Sequence, residues 1–377
     1  MQRLTLPRRA VYQKLALSFG SVLVFFGVAE GLARLKYSPG QVQSAGIFQY
    51  DPDKLYALKP SHVGAFAGRE VKTNSLGYRD SEVAVPKPEG TFRALVIGDS
   101  IAFGHGVDAE HTFSEVLERR LNQESVTPGR PFEVVNTAVP GNSPFQEYYD
   151  LVRAERLQPD VVVFQFTPND VVEPYQVLLR LGGAGKDYHG IQDLPRIHYF
   201  LSERSAFYLL LRAVLARVSL WQASGEQLKS QAWAREEYQV KRLVENLDDP
   251  LIRDAWAECL REMEKMVAFC RERGWPMVML YVPAEFQLSL APELARPQQV
   301  VARFAAERDI PFIDLLALLH AQRQEQRPFT EVTDKEELWS TYFLDPNHLN
   351  EHGHLWATNQ LSVSVAPASG TPAGRSR

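Results

Sequence analysis

The chain has 377 residues, with 45% hydrophobic and 23% charged side chains, the mix of a globular protein that can bury a core. That excludes a mainly disordered or collagen-like chain, and the length suggests about 2.5 domains at ~150 residues each. Lys and Arg (41) nearly balance Asp and Glu (46), leaving −5, so phosphate-backbone binding is not expected and no nucleic-acid partner is predicted. Cys259 and Cys270 are the only cysteines, which excludes a disulfide scaffold and a Cys-rich zinc module.

Arg3, Arg8, Arg9 and Lys14 precede an uncharged apolar run, LALSFGSVLVFFGVA, over 15–29. A membrane span needs ~20 residues, and helical continuation through Gly31-Leu32-Ala33 supplies the extra length, with Glu30 and Arg34 near the far headgroups. Segment 1–36 is therefore expected to be a single-pass signal anchor, with a cytoplasmic N-terminus and the remaining chain outside. Two other readings stay open. A cleaved signal peptide, with Gly27-x-Ala29 as the small-residue site, would make the protein secreted; a buried core helix is the third. The surroundings of Arg8-Arg9 fit a twin-arginine signal poorly, and no cysteine near residue 30 offers a lipidation site.

Residues 37–90 are rich in turn signals and read as a connector on the domain surface. From Thr91 the pattern becomes regular. Short β-branched runs at 93–97, 132–139, 160–166, 276–282 and 311–315 predict strands. Helical patterns alternate with them at 111–123, 144–157, 250–273, 297–308 and 350–363. Near-continuous apolar strands alternating with helices predict an α/β domain over 91–365, a parallel sheet covered on both faces. In the helix 250–273, Asp249 reads as N-cap, Pro250 as the first helical residue and Gly274 as C-cap. Cys259 and Cys270 then lie about 16 Å apart along one helix, beyond disulfide reach, and are expected to be buried free thiols.

Residues 171–249 interrupt the alternation as an insertion far longer than ordinary connections. Within it, 205–221 is apolar but broken by Arg212 and Arg217. It is read as a helix packed on the domain, with a lid over the site or a face resting on lipid as alternatives. The tail 366–377 is small and polar and is expected to be disordered.

Ligands of an open parallel sheet bind beyond the carboxyl ends of its strands. The first strand ends in Gly98-Asp99-Ser100, which places a serine where its Oγ can be exposed. The second ends in Val139-Pro140-Gly141-Asn142, where a glycine lets backbone N–H approach a substrate closely. The third ends in Thr167-Pro168-Asn169-Asp170, and Asp345-Pro346-Asn347-His348 precedes the last helix. Each piece alone is cheap: Asp108-Ala109-Glu110-His111 repeats the Asp-x-x-His spacing and reads as the start of a helix. Together they offer a nucleophile, a base, an orienting acid and oxyanion donors, the set that acyl transfer needs.

With these four blocks the chain resembles the SGNH, or GDSL, hydrolases, over roughly 91–180 and 275–364. The lead-in Thr73-Asn74-Ser75-Leu76-Gly77-Tyr78-Arg79 is similar to that of bacterial membrane-anchored members. The resemblance implies a three-layer α/β/α flavodoxin-like sandwich with a parallel five-stranded sheet in the order 2-1-3-4-5. It also implies Ser100 as nucleophile, His348 as general base and Asp345 as its orienting acid. The oxyanion donors would be the backbone N–H groups of Ser100 and Gly141 and the side chain of Asn169. One position departs from the pattern: Thr167 stands where the third block usually has glycine, which bears on how Asn169 is aimed.

His348, His352 and His354 mimic metal spacing, but the segment reads as a catalytic histidine running into a helix, and no metal or cofactor is predicted. His105 is expected to line the pocket or to serve structure alone. The Gly-x-Ser-x-Gly elbow of α/β-hydrolases is absent around every serine. The function expected is an extracytoplasmic serine esterase acting on acyl or acetyl esters of a glycan or lipid. An O-acyltransferase acting on an envelope or exopolysaccharide sugar hydroxyl is the alternative, and a non-catalytic envelope glycan-binding protein is the third reading. The Asp/His pair lies far downstream of Ser100, whereas alginate-acetylating relatives carry it upstream, and this favours hydrolysis.

Overall fold

The computed structural model describes residues 8–35, 46–124, 129–171, 200–201, 204–211, 214, 243, 250–288, 292–326 and 331–365. Most of the insertion 171–249 and the tail 366–377 lie outside the described residues.

Helix α1 runs over Arg8–Arg34. Most of its described apolar side chains are exposed, among them Leu17 at 74% and Val24 at 66%, whereas Ala33 near its end is buried. The stretch Tyr12–Arg34 is long and apolar enough to cross a membrane, a test that a signal sequence also passes. Near its end the Glu30 carboxylate accepts hydrogen bonds from Ser205 Oγ (2.9 Å) and from the backbone N–H of Ala206 and Phe207 (3.0 Å each). Arg34 donates to the Arg204 carbonyl at 3.0 Å.

The segment read as a connector contains two antiparallel hairpins. Strand β1 (Phe48–Asp51) pairs with β2 (Leu55–Leu58), and β3 (Val63–Phe66) with β4 (Arg69–Lys72). The second hairpin turns at Ala67 and Gly68, both at positive φ (50° and 76°), the two-residue geometry whose twist suits flanking strands. The hairpins also enter the core. Ile47, Phe48, Leu58 and Val71 pack with sheet residues such as Ala94 and Val96.

The sheet follows as β5 (Phe92–Ile97), β6 (Phe132–Asn136), β7 (Val161–Phe166), β8 (Met277–Tyr281) and β9 (Phe312–Asp314), all parallel, in the order β6-β5-β7-β8-β9. Counted within the sheet this is 2-1-3-4-5, as the resemblance implies. Successive side chains of a strand point to opposite faces, and both faces are buried. Ala94, Val96, Val161, Val163, Val278 and Leu280 pack on one side, covered by α3 (Phe113–Gln123) and by the helix Glu351–Val365. Leu95, Ile97, Val162, Phe164, Met277 and Met279 pack on the other, covered by α4 (Pro144–Arg153), α5 (Pro250–Glu272) and α6 (Arg296–Ala306). Cys259 and Cys270 are buried, free thiols of α5.

Three local outcomes differ from expectation. The second strand stops at Asn136, not Val139, because Asn136 Oδ1 takes the Ala138 N–H at 3.1 Å and bends the chain. The fourth helix closes at Arg153 and continues only as a 3₁₀ turn over Ala154–Leu157. Two helices that periodicity did not announce, α7 (Leu315–Gln326) and α8 (Glu331–Tyr342), precede the final helix, α9 (Glu351–Val365).

Candidate active site

Strands β6, β5 and β7 are neighbours, so the residues beyond their carboxyl ends, Gly141, Ser100 and Asn169, emerge side by side. Ser100 opens the single turn α2 (Ser100–Phe103), capped by Asp99, whose carboxylate accepts the Ile101 N–H at 2.9 Å. The turn after β5 is tight for a visible reason. A Cβ at position 98 would lie 2.4 Å from Gln165 Oε1 and 2.9 Å from Ala102 Cβ, so only glycine fits. Gln165 Oε1 in turn accepts the N–H groups of Asp99 (3.2 Å) and Ala102 (3.1 Å). Gln165 was not singled out from the sequence. Its signal was a lone amide inside the apolar run 161–166, a fully buried strand.

Asp345 and His348 sit in a loop pinned on both sides. Glu285 N–H donates to the Pro346 carbonyl and Leu344 N–H to the His348 carbonyl, both at 2.8 Å. Asp345 Oδ1 accepts the N–H groups of Asn347 and His348 (2.9 Å each). Both carboxylate oxygens lie 2.8 Å from His348 Nδ1, and His348 Nε2 lies 2.8 Å from Ser100 Oγ. Burial alone would raise the Asp345 carboxyl; the hydrogen bond and charge of His348 and the two backbone N–H groups hold it below its ordinary value. The Ser100–His348–Asp345 line therefore sets an imidazole beside a hydroxyl and a carboxylate beside the imidazole, a geometry able to support nucleophilic acyl chemistry.

The expected oxyanion donors lie at the neighbouring strand ends. Gly141 has φ +75° and is exposed. A Cβ there would approach Tyr56 Oη to 2.9 Å, so both backbone conformation and space call for glycine. Tyr56 donates to the Pro140 carbonyl at 3.1 Å. Asn169 is buried, and its amide donates to Asp99 Oδ2 at 3.3 Å. At the departing position, Thr167 N–H donates to Asp170 Oδ2 at 2.8 Å while Asp170 N–H returns to the Thr167 carbonyl at 3.1 Å. This closed turn follows β7 immediately and carries Asn169.

The lead-in motif has a structural task. Asn74 Oδ1 accepts the N–H groups of Leu76 and Tyr78 (3.0 Å each). Arg79, buried, donates to the carbonyls of Phe103 (3.0 Å), Gly104 (2.7 Å) and Val107 (2.9 Å). It thereby clasps the loop that follows Ser100 and carries His105.

The sequence-spaced histidines divide. His354 is buried and accepts the Phe113 N–H at Nδ1 (3.2 Å), whereas His352 is exposed. The other Asp-x-x-His copy forms a 3₁₀ turn, Ala109–His111, ahead of α3, as expected of a helix start. Among the described residues, His105, Asp345 and His348 bring potential metal ligands together. The two imidazoles, however, are stacked, with centroids 3.8 Å apart and planes within 12°. Their in-plane lone pairs then run alongside each other and do not converge on one point, which a tetrahedral site requires.

No curated protein matches the chain. Solved structures with a similar course include TesA (14% identity, 73% of this chain and 99% of that one, TM-score 0.39). A lipolytic protein of the G-D-S-L family from Veillonella parvula has 12% identity over 73% of this chain and 97% of its own, with TM-score 0.38. The acetylxylan esterase Axe2 from Geobacillus stearothermophilus, as a catalytic mutant, has 14% identity over 76% and 97%, with TM-score 0.33. The stronger finding comes from sequence. The GDSL-like Lipase/Acylhydrolase family matches residues 96–356, most of the chain and all four blocks, so the chain belongs to that family and is an ester-hydrolysing enzyme.

Proposed function

We propose that this enzyme is a membrane-anchored serine esterase whose domain 91–365 works outside the cytoplasm on acyl or acetyl esters of glycans or lipids. The observation that carries the reading is the pair of 2.8 Å contacts at the two nitrogens of His348, to Ser100 Oγ and to Asp345. Ser100 Oγ attacks the ester carbonyl as His348 Nε2 takes its proton. The carbonyl oxygen gains the negative charge and accepts hydrogen bonds from the N–H groups of Ser100 and Gly141 and from the Asn169 amide. Collapse of the tetrahedral intermediate breaks the bond to the alcohol, which leaves with the proton from His348. Water, deprotonated by the same histidine, then releases the carboxylic acid and restores Ser100.

Helix α1 supports the anchoring half of the reading, since its exposed apolar side chains suit lipid. The basic residues ahead of its apolar run, Arg3, Arg8, Arg9 and Lys14, favour a cytoplasmic N-terminus. Residues 37–90 join anchor to enzyme, and 171–249 form an insertion in the domain.

The test uses the full chain in detergent with p-nitrophenyl acetate, butyrate and longer esters, with and without a sugar acceptor. Release of p-nitrophenol that Ser100→Ala abolishes, with the fold retained by circular dichroism, supports the reading. Wild-type turnover by Ser100→Ala would overturn it, and acetyl transfer to the sugar in place of hydrolysis would move the enzyme to the acyltransferases. Alkaline phosphatase fused after residue 45 should be active in cells if the orientation is right.

A further inference from the structure

The base His348 is held from a direction that the family's four blocks do not provide. One face of its ring is covered by His105, parallel within 12° at 3.8 Å between centroids. His105 is fixed in turn. Its backbone N–H donates to the Ser100 carbonyl at 2.9 Å, the loop carrying it is clasped by Arg79, and the Phe66 ring meets it edge-on at 5.4 Å and 86°. Phe66 ends strand β3 of the second hairpin, outside the residues that match the family. It also packs edge-on against Phe103 (5.8 Å) and Phe48 (5.6 Å), so the hairpin bears on the nucleophile's turn and on the base together.

We propose that His105 is a positioning residue for the general base His348, kept against it by Phe66, so that the N-terminal hairpin is a working part of the catalytic site. The inference rests on the esterase reading above. Two physical effects support it. Asp345 fixes His348 only along one edge of its ring, and a ring free to swing about that edge loses its line to Ser100 Oγ. A stacked neighbour removes that freedom, and misplacement by ~1 Å costs on the order of 10²-fold in rate. In addition, His348 becomes a cation during acylation, and a neutral ring face beside a cation is favourable. His105 stays neutral: burial, then the charge of His348, lower its pKa to about 4, with Arg79 acting the same way and Asp345 opposing.

The experiment compares wild type, His105→Ala, His105→Phe, Phe66→Ala and the double variant Phe66→Ala/His105→Ala, all as full chains in detergent. The readouts are kcat and KM on p-nitrophenyl acetate and the rate at which a fluorophosphonate probe labels Ser100. His105→Ala should lower kcat and labelling on the order of 10-fold with KM nearly unchanged. His105→Phe, which keeps a flat ring, should recover most of the loss. Phe66→Ala should lose part of the rate, and the double variant should be no slower than His105→Ala, because Phe66 acts on His348 through His105. Wild-type rates in His105→Ala, an equal loss in His105→Phe, or losses that multiply in the double variant would each overturn the proposal. If His105→Ala does not fold, Phe66→Ala and His105→Phe carry the test through the same readouts. A wild-type chain inert to both probes would sink the esterase reading itself, a result distinct from any of these.

Discussion

The side-chain amide of Asn169 donates to the carboxylate of Asp99 across 3.3 Å, and both side chains are buried. Asp99 is itself fixed by the Ile101 N–H at 2.9 Å, so the residue before Ser100 sets the plane of the amide that follows β7. The bond to Asp99 fixes the plane of the amide and with it the directions of its N–H groups, which is what an oxyanion donor needs. Asn169→Ala should lower kcat by ~10²–10³ with a smaller change in KM. Asp99→Asn, which sets an amide against an amide, should cost on the order of 10-fold in kcat with the fold retained. Steady-state kinetics on p-nitrophenyl acetate decide this, and wild-type kcat in Asp99→Asn would show that Asn169 needs no such partner.

Asp345 faces His348 Nδ1 with both oxygens. Replacing it by Asn keeps the size but removes the charge and permits the wrong tautomer of the base. Asp345→Asn should lose on the order of 10³–10⁴-fold in kcat. Its effect on stability has a definite sign. The Asp345 carboxyl is held below its ordinary 3.8 in the fold, so its stabilising contribution is present above that value and disappears as pH falls through the folded value. In urea denaturation the variant should fall short of wild type at neutral pH and approach it in acid.

Two other groups link stability to pH with opposite signs. His354, buried against Phe113, is depressed from 6.5 to about 3 by burial and then by the charges of Arg79, His348 and His111. The unfolded chain binds its proton first, so stability falls as pH drops from 6.5 towards 3. Asp80 is raised from 3.8 to about 7 by burial, with Glu115 and Glu118 adding to it and the Asn136 N–H opposing. Here the folded chain keeps the proton longer, and stability falls as pH rises from 3.8 towards 7. His354→Asn should therefore flatten the acid side of a thermal-stability profile. Asp80→Asn should raise the melting temperature at pH 8 more than at pH 4, and equal shifts at both would refute the assignment.

What the sequence disclosed follows from how signals are distributed along it. Strands β5 and β7 are buried at every position, and such strands read as unbroken apolar runs; the site blocks lie at their ends because the topology puts them there. The hairpins escaped notice because their strands are four residues long, and in β3 exposed and half-buried positions alternate. Such segments resemble turns. The sequence offers His105 as a pocket residue or a structural one. Its stacking on His348 is a contact between distant segments, set by the Arg79 clasp and the hairpin, and periodicity carries no trace of such contacts. Similarly, Thr167 departs from the motif's glycine, and the turn it begins is closed through Asp170.

The last prediction concerns the ion pair beneath the Gly141 loop. Lys54, 1% exposed, is paired with Asp150, 6% exposed, on α4. Asp150 also accepts from Asn142 Nδ2 at 2.7 Å, and Asn142 follows Gly141 directly. Lys54, in the turn between β1 and β2, thus reaches through Asp150 to the loop from which the second oxyanion N–H would come, while Tyr56 two residues on bonds the Pro140 carbonyl. Lys54→Met leaves a buried carboxylate without its cation, which typically costs about 3–5 kcal/mol. The double variant Lys54→Met/Asp150→Leu removes both charges and should regain much of that stability in chemical denaturation. It also deletes the acceptor that orients Asn142, so its activity should stay low while its stability returns. Recovery of kcat together with stability would mean that the pair serves the fold alone and that the loop needs no tether from the hairpin.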